Sequence, residues 1–293
     1  MNELGHERIT IGLGPRSGLP VILAVHSTRL GSAVGGCRMW RYEHWRDGLA
    51  DAMRLSEAMS LKCAACGIRH GGGKTVIALP PDGELDARRR EAVMEDVGEL
   101  VESFGGSYYV GEDVGTGPDD ILTMRRLTRW TARPHDPTAR DHVSQPTATG
   151  VLEALRATVR HVFGSAALSG RRVAIAGLGH VGWPLTRMLA AEGATLLVSD
   201  IDAGKLGEAV KLGATPLEPE HAVEAEVDVL VPAALGGVIS PATVERLRCR
   251  AICGPANNQL TDDGVAELLH ARGITWAPDF IVNAGGVIYE VEA

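Results

Sequence analysis

The chain has 293 residues, and 29 Lys and Arg against 37 Asp and Glu give a formal net charge of −8. With 45% hydrophobic and 23% charged residues, the composition supports a folded core and excludes an intrinsically disordered chain. An acidic balance without a basic run argues against nucleic acid as the main partner. Only four of the 29 basic residues are lysines, and two of these, Lys62 and Lys74, lie close together in the sequence.

The first half of the chain, residues 1–138, is predicted to form an α/β domain. Its apolar runs indicate strands at 8–11, 21–25, 75–79 and 108–110, and its periodic segments indicate helices over 47–66 and 86–104. Asp47 is the residue expected to cap the first helix. Residues 131–146 contain three prolines among polar residues, which predicts a connection or hinge.

The second half, residues 139–293, alternates strand-like and helical segments. Strands are predicted at 173–176, 196–199, 227–231, 251–253 and 275–277, and helices at 180–192, 203–212, 240–248 and 261–272. This alternation with short loops is typical of a doubly wound parallel sheet of the Rossmann type. The sequence therefore predicts a two-domain α/β protein.

A glycine motif follows the first strand of the second half. Gly177 permits a tight turn, Gly179 allows the backbone to approach a pyrophosphate, and Gly182 allows close packing of helix on strand. Asp200 ends the next strand, where a carboxylate accepts hydrogen bonds from ribose hydroxyls and repels a 2′-phosphate. The strand, the glycine turn, the helix, the next strand and Asp200 follow one another at the sequence spacing of a dinucleotide-binding unit. We therefore predict NAD as the cofactor. The other cofactor contacts expected around this turn are His180, Val181 and Ile201.

Three consecutive glycines, Gly71 to Gly73, separate Lys62 from Lys74. One interpretation is a flexible surface loop with two solvated lysines. The other is a site at which glycines allow a substrate to approach the backbone, and at which a lysine supplies a removable proton. The scarcity of lysine elsewhere favours the second interpretation.

The five cysteines are expected to remain thiols buried as small hydrophobic groups, and no metal site is expected. A zinc site is an alternative, but the spacing of its second pair is loose for this metal. No apolar stretch reaches the roughly 18 residues of a membrane span, and no secretory signal is visible, so we expect a cytoplasmic protein. The four candidate zinc ligands are Cys63, Cys66, Cys249 and Cys253.

Several blocks together resemble the amino-acid dehydrogenases of the glutamate/leucine/phenylalanine/valine family, most closely the leucine, valine and phenylalanine members. The blocks occur in the order of that family and span nearly the whole chain. They are Gly35 to Trp40, Lys62 to Lys74, Gly111 to Thr116, Pro146 to Gly150, the glycine motif, Pro232 to Gly236, Ala256 to Leu260, and Ala277 to Val287.

The resemblance implies NAD-dependent oxidative deamination of a hydrophobic, branched-chain or aromatic L-amino acid to the 2-oxo acid and ammonia, and the reverse amination. Lys62 is then expected to bind the substrate carboxylate, with Gly35 and Gly36 shaping the floor of the site. Lys74 is expected to have a lowered pKa, to stabilise charge on the reaction intermediates and to orient the attacking water. Asp113 is expected to exchange protons with the amino group and water. A turn acid that caps its own backbone is the alternative for Asp113.

Further residues match positions that contact the cofactor or the substrate. Thr147, Asn257 and Asn258 are expected to hold the nicotinamide end and the substrate amino group, with an N-cap threonine and an Asx turn as alternatives. Hydride transfer implies that the two domains close over a cleft. Ala233 and Ala234 are expected near the cofactor. The substrate side chain is expected to meet Val34, Gly111, Val287 and Glu290.

Two departures from the family pattern qualify the resemblance. The sequence ends shortly after Val287, where members continue through further helices, so we expect oligomeric contacts and closure to differ; a homo-oligomer, with a dimer favoured, is still expected. Glu290 stands where branched-chain enzymes carry an apolar residue, which favours a larger substrate with an N–H group or positive charge if it faces the pocket. Two alternatives follow: the same chemistry on a biosynthetic imine, amine or non-standard amino acid, or a non-catalytic NAD-binding module.

Overall fold

The computed structural model describes residues 5–83, 85–132 and 143–292. It divides the chain into two units, Met1–Arg140 and Asp141–Ala293. The predicted domain boundary after residue 138 lies outside the described residues, as does most of the connection predicted over 131–146. Residues 144–146 belong to a helix, which corrects that part of the prediction.

The first unit is a five-stranded mixed sheet with helices on both faces. β2 pairs antiparallel with β1 and β4, whereas β3 lies parallel to β4 and β5, giving the order β1-β2-β4-β3-β5. The elements are β1 (Arg8–Leu13), β2 (Pro20–Ser27), β3 (Ala33–Arg41), α1 (Trp45–Ala65), β4 (Gly71–Leu79), α2 (Ala87–Glu102), β5 (Tyr108–Glu112) and α3 (Pro118–Met124).

Two apolar layers hold the sheet of the first unit. Ile22 and Val76 pack with Ala52 of α1 on one face. Leu23 and Ile77 pack with the helices α2 and α3 on the other face. The alternation of side chains along each strand therefore fills both layers, and it places Lys74, two residues before Val76, on the α1 face.

The three glycines before Lys74 form strand, so the interpretation as a flexible loop is wrong. All nine residues of β4 are buried. A Cβ atom at Gly71 would lie 1.8 Å from the carbonyl oxygen of Ser27, and one at Gly72 would lie 2.2 Å from the amide nitrogen of Ser60. The glycines are required because β2 and α1 pass too close to β4 for any side chain.

Two further predictions for the first unit need correction. Asp47 is not the cap of α1: His44 is the N-cap, and Asp47, three residues later, accepts a hydrogen bond from the His44 amide to complete a capping box. The strand β3 was not predicted, because glycines at 35 and 36 lower its strand propensity.

The second unit is a six-stranded, fully parallel sheet in the order β11-β10-β9-β6-β7-β8. The predicted doubly wound sheet is confirmed, and the strands and helices named from the sequence end within three residues of the observed ones. The elements are α4 (Ser144–Phe163), β6 (Arg172–Ala176), α5 (Gly182–Ala191), β7 (Thr195–Ser199), α6 (Ala203–Lys211), β8 (Thr215–Pro216), a 3₁₀ helix (Pro219–Glu224), β9 (Val229–Pro232), α7 (Pro241–Arg246), β10 (Ala251–Ile252), α8 (Gly264–Ala271), β11 (Thr275–Trp276), α9 (Asp279–Val282) and α10 (Gly285–Glu292).

The strand order of the second unit reverses between β6 and β9. From β6 the chain runs outward through β7 to β8, and from β9 it runs outward in the other direction. In open parallel sheets, ligands bind at the carboxyl ends of the strands on either side of such a reversal. The turns after β6 and β9 are therefore the expected binding edge.

α10 packs against α4 through glycines. A Cβ atom at Gly285 would lie 2.4 Å from the carbonyl oxygen of Pro146, and one at Gly286 would lie 2.6 Å from the hydroxyl of Thr147. On α4 itself, a Cβ atom at Gly150 would lie 3.3 Å from the Cα atom of Gly285. This contact explains the glycine pair at 285–286 as a packing requirement of the second unit.

Across the described ranges, no helix is long and apolar enough to cross a membrane. The same residues contain no group of three or more His, Cys, Asp or Glu side chains that could hold a metal ion.

Candidate active site

The register of three parallel strands brings Lys74 and Asp113 together. Cys37 of β3 is level with Thr75 of β4 and with Glu112 at the end of β5, so Lys74 and Asp113 flank β3. Outer strands of such a trio lie about 10 Å apart, a gap that a lysine side chain can span. Lys74 Nζ lies 2.8 Å from Asp113 Oδ2.

Gly36 makes room for this ion pair. A Cβ atom on Gly36 would lie 2.7 Å from the Cβ atom of Asp113 and 2.5 Å from the carbonyl oxygen of Glu112. A Cβ atom on Gly35 would lie 1.8 Å from the carbonyl oxygen of Gly73. Both glycines therefore allow β3 to approach the backbones that carry Lys74 and Asp113.

Burial and neighbouring charges set the protonation of the pair. Lys74 is 5% exposed. Its burial lowers the pKa of the ammonium group; Asp113 opposes this effect, and the like charge of Arg38 adds to it. Burial raises the pKa of Asp113, but Lys74 and Arg38 outweigh it and bring the pKa of the carboxyl group to about 2. Lys74, whose ammonium group has a lowered pKa, thus faces an aspartate that stays ionised.

Thr116 fixes the turn that presents Asp113. The Asp113 amide donates to the Thr116 hydroxyl at 3.0 Å, and that hydroxyl donates to the carbonyl oxygen of Cys37 at 2.7 Å. The side chain that caps the turn is therefore Thr116, and the alternative of Asp113 as a self-capping turn acid is wrong. The Asp113 carboxylate instead pairs with Lys74 and Arg38.

Lys62 lies in the last turn of α1 and is 8% exposed. A cation there is stabilised by the negative end of the helix dipole. Val34 and Gly111 are half-buried on β3 and β5, and among the described residues a Cβ atom at Gly111 would meet only the Cβ atom of Ala132, at 3.5 Å. The described part of the first unit therefore leaves space next to Gly111.

In the second unit, the three motif glycines meet three different requirements. Gly177 has a φ of +113°, a value that residues with a Cβ atom rarely adopt. A Cβ atom at Gly182 would lie 2.0 Å from the carbonyl oxygen of Gly177, whereas one at Gly179 would meet no described residue within 4 Å. Gly179 thus leaves its backbone open to a ligand at the start of α5, as a pyrophosphate requires.

The remaining residues of the predicted cofactor site surround this turn. Asp200 follows β7 and accepts hydrogen bonds from the amides of Leu178 at 2.6 Å and Asp202 at 2.9 Å. Ile201 is 96% exposed. Ala234 follows β9, and its Cβ atom lies 2.7 Å from the position a Cβ atom would take at Gly177. The structure places Ala233, His180 and Val181 at the same edge of the sheet.

A pair of asparagines follows β10. Asn258 has a φ of +51°. The Nδ2 group of Asn283 donates to the carbonyl oxygen of Pro255 at 3.0 Å and to Oδ1 of Asn257 at 2.7 Å. Because a carbonyl only accepts, the Pro255 contact fixes the orientation of the Asn283 amide, which in turn fixes that of Asn257. Oδ1 of Asn283 is buried without a hydrogen-bond partner among the described residues.

Three further predicted site residues lie on α4 and α10. Thr147 is not an N-cap, because Val143 holds that position and the Thr147 hydroxyl donates to the Val143 carbonyl at 2.7 Å. Val287 is half-buried on α10, and Glu290 is exposed there. The roles of Val287 and Glu290 in a substrate pocket stay predictions.

Comparison with known proteins identifies the family. Sequence models described as "Glu/Leu/Phe/Val dehydrogenase, dimerisation domain" and "Glutamate/Leucine/Phenylalanine/Valine dehydrogenase" match residues 15–130 and 201–291. The chain is 41% identical to a phenylalanine dehydrogenase of Lysinibacillus sphaericus, over 97% of this chain and 75% of that protein. It is 37% identical to a leucine dehydrogenase of Thermoactinomyces intermedius, over 98% of this chain and 78% of that protein.

A solved structure supports the same assignment. The L-tryptophan dehydrogenase of Nostoc punctiforme is 35% identical and superimposes with a TM-score of 0.77, over 98% of this chain and 81% of that one. The chain belongs to the Glu/Leu/Phe/Val dehydrogenase family. It is an amino-acid dehydrogenase, and the predictions of the family, the fold class, the enzyme class and NAD as cofactor are confirmed.

Three residues of this dehydrogenase contact predicted site residues but were not themselves predicted. They are Arg38, which pairs with Asp113; Thr116, which holds the turn of Asp113; and Asn283, which orients Asn257. Arg38 is inconspicuous because the chain contains 25 arginines. Its position two residues after a pair of glycines inside a family block is the signal that could have found it.

Proposed function

We propose that this dehydrogenase acts on L-amino acids with apolar side chains, branched or aromatic, through a site centred on Lys74 and Asp113. The overall reaction converts the amino acid, NAD and water into the 2-oxo acid, ammonium, NADH and a proton, and it runs in reverse as reductive amination. The observation that carries this proposal is the buried ion pair, 2.8 Å long, between a lysine with a lowered pKa and an ionised aspartate.

The two buried lysines take different roles in the proposal. Lys62 needs only its charge, because it binds the substrate carboxylate as a fixed cation. Lys74 needs a proton that it can release and regain, because the neutral amine orients the attacking water and accepts its proton, and the ammonium group then stabilises negative charge on the carbinolamine oxygen. Gly35 and Gly36 leave the floor of the site free of side chains.

Asp113 is the proposed proton carrier. Its carboxylate accepts a proton from the substrate ammonium group, which frees the nitrogen lone pair for formation of the iminium carbon–nitrogen double bond. Bound NAD supplies the acceptor for the hydride that leaves the α-carbon. Asp113 later returns a proton to the departing nitrogen.

The residues proposed to hold NAD are those of the turns after β6, β7, β9 and β10. The open backbone at Gly179 fits a pyrophosphate at the start of α5, and the Asp200 carboxylate fits ribose hydroxyls. Asn257, Asn258 and Thr147 are proposed to contact the nicotinamide end or the substrate amino group.

The proposed preference for apolar substrates has two supports. The relatives named above act by their names on phenylalanine, leucine and tryptophan. The half-buried Val34 and the lack of a side chain at Gly111 suit a large apolar group. Val287 and Glu290 are proposed as further contacts of the substrate side chain, with Glu290 as the position that separates apolar from basic substrates.

Formation of NADH with a panel of L-amino acids at alkaline pH tests the proposal. Phenylalanine, leucine, tryptophan and valine are expected to give larger kcat/KM values than glutamate or lysine. Glu290→Leu is the matched variant for the pocket, and it should change the ratio between apolar and basic substrates without changing the dissociation constant of NAD. Absence of turnover with every amino acid tested contradicts the proposed activity.

We also propose a homodimer built through the first unit. The family model that matches residues 15–130 carries the description of a dimerisation domain. Light scattering coupled to size-exclusion chromatography is expected to give twice the mass of the chain, and a monomer at micromolar concentration contradicts this proposal.

A further inference from the structure

Arg38 links the Asp113 carboxylate to a second set of polar groups. Its Nε group lies 2.9 Å from Asp113 Oδ2, and its NH1 group lies 3.2 Å from Asp51 Oδ2 on α1. Asp51 also accepts a hydrogen bond from the Tyr42 hydroxyl at 2.8 Å and pairs with Arg54. The side chains of Arg38, Asp51 and Asp113 are 15 to 18% exposed. Arg38 is thus held in place by the Asp51 carboxylate, which is itself fixed by Tyr42 and Arg54.

The two cations near Asp113 contact the same oxygen of its carboxylate. Lys74 Nζ and Arg38 Nε both lie within 2.9 Å of Oδ2. Within the part of the chain that the structure describes, no hydrogen bond reaches Oδ1. A planar guanidinium in a fixed position restricts rotation of the carboxylate far more than a lysine on a flexible stem does. Oδ1 is therefore left as the oxygen that is available for proton exchange.

We propose that Arg38, held by Asp51, is a positioning residue of this dehydrogenase: it presents Asp113 Oδ1 to the substrate nitrogen and tunes the pair of Lys74 and Asp113. The proposal rests on the function proposed above for these two residues. Arg38 is not itself a catalytic residue, because it acts on Asp113 and not on the substrate. In the proton step, the bond from nitrogen to hydrogen breaks as a bond from Oδ1 to hydrogen forms.

The charge of Arg38 acts in one direction on both members of the pair. It lowers the pKa of Lys74 by repulsion and that of Asp113 by attraction. A neutral residue at position 38 therefore raises both pKa values. Because activity requires ionised Asp113 and rises as Lys74 loses its proton, the ascending limb of the pH profile moves to higher pH.

Asp51 has the opposite charge and is expected to give the opposite shift. A carboxylate near a titrating site raises its pKa, so Asp51→Asn moves the ascending limb to lower pH while Arg38 loses its anchor. A residue with a purely structural role would change the stability of the fold or the rate, but it would not give shifts of opposite sign at two neighbouring positions.

The experiment measures kcat/KM against pH for the wild type, Arg38→Met, Arg38→Lys and Asp51→Asn in the full chain. Arg38→Met is expected to shift the ascending limb upward by about one pH unit and to lower kcat/KM at neutral pH by about a hundredfold. Arg38→Lys should keep the limb near its wild-type position, because the charge stays, with a reduced kcat. Asp51→Asn should shift the limb downward by a smaller amount.

Arg16→Met is the matched control. Arg16 also bridges carboxylates, contacting Asp96 and Glu99 of α2, and it belongs to none of the proposed sites. The control should lower the melting temperature without moving the limb.

An inactive wild type contradicts the proposed function itself. An active wild type whose limb is unmoved in a folded Arg38→Met variant contradicts the role of Arg38 alone. Should Arg38→Met fail to fold, Arg38→Lys decides: a limb near its wild-type position with a reduced kcat supports the proposal, and a kcat equal to that of the wild type overturns it. A dissociation constant for NAD that rises in parallel with the loss of activity also overturns it, because it indicates general damage.

Discussion

The molecule has two glycine clusters that serve opposite purposes. In the second unit, Gly179 leaves open space where a ligand approaches the backbone, and Gly177 takes a turn conformation that other residues avoid. In the first unit, Gly71 and Gly72 lie in an extended strand against neighbouring backbone. A glycine thus marks either a backbone left open to a ligand or a close contact between backbones, and the distance to the nearest backbone atom distinguishes the two positions. A Cβ atom at Gly182 would lie 2.0 Å from the carbonyl oxygen of Gly177, so this glycine is of the second kind although it lies in the cofactor motif.

The largest effect is expected from Lys74→Arg, which changes the first unit and leaves the cofactor-binding turns of the second unit unchanged. The charge stays, but a guanidinium cannot give up its proton and does not fit the space of an ammonium group in a fully buried strand. We expect turnover to fall by a factor of about one hundred to ten thousand, with the dissociation constant of NAD unchanged. Stopped-flow measurement of NADH formation checks the turnover, and fluorescence titration with NADH checks cofactor binding. A variant with near-normal turnover contradicts the role of the Lys74 proton.

The next largest effect is expected on folding, from Gly71→Ala. The added methyl group would lie 1.8 Å from the Ser27 carbonyl oxygen, so strand β2 or β4 must move. We expect the free energy of unfolding to fall by about 3 kcal/mol. Denaturant unfolding followed by circular dichroism measures this loss. Ala in place of Gly at position 67, where a Cβ atom would meet nothing within 4 Å but φ is +68°, gives the comparison for backbone strain alone.

A smaller effect is expected from acid on the Asp113 pair. The pKa of Asp113 is about 2 in the folded protein, below the value of about 3.9 for an unfolded chain. The pair therefore contributes stability above about pH 4, and this contribution is lost as the pH falls from about 4 to about 2. Urea unfolding between pH 2 and 5 should show a steeper loss for the wild type than for Asp113→Asn. Equal slopes in the two proteins contradict the depressed pKa.

The smallest effect on the fold is expected from Gly179→Ala. Because nothing lies within 4 Å of the added methyl group, we expect an unchanged melting temperature, while the affinity for NAD falls by about tenfold as the backbone is shielded from the pyrophosphate. Calorimetric titration with NAD and thermal melting of the same sample check both statements. A melting temperature as low as that of Gly71→Ala would remove the distinction between the two clusters.

The central part of the second unit was predictable because its signals are local. The predicted strands are short apolar runs, the predicted helices follow them closely, and the glycine motif with Asp200 lies within a single strand, helix and strand unit. The helices α4, α9 and α10, the 3₁₀ helix and the two-residue strand β8 were not predicted. The sheet order then follows from the rules for parallel crossovers. Boundaries differ by only a few residues.

The first unit was less predictable because its sheet depends on contacts between distant segments. β3 pairs with β4 and β5, and its glycines hide it from strand propensity. Lys74 and Asp113 were found from lysine usage and from the family blocks, but Arg38 and Asp51 act through a register that sequence patterns do not encode. The cap at His44 was not predicted, because histidine is an uncommon capping residue and Asp47 is of a type that commonly caps helices.

The glycine contact between α4 and α10 also bears on the order in which the second unit assembles. Gly150 and Gly285 lie on either side of the entire parallel sheet in the sequence, so their contact has a high loop-closure cost. During synthesis α4 therefore emerges well before α10, and its glycine face is covered only after the whole parallel sheet has been made. A helix face that stays uncovered for this interval is a place at which the partly folded unit can associate with other chains.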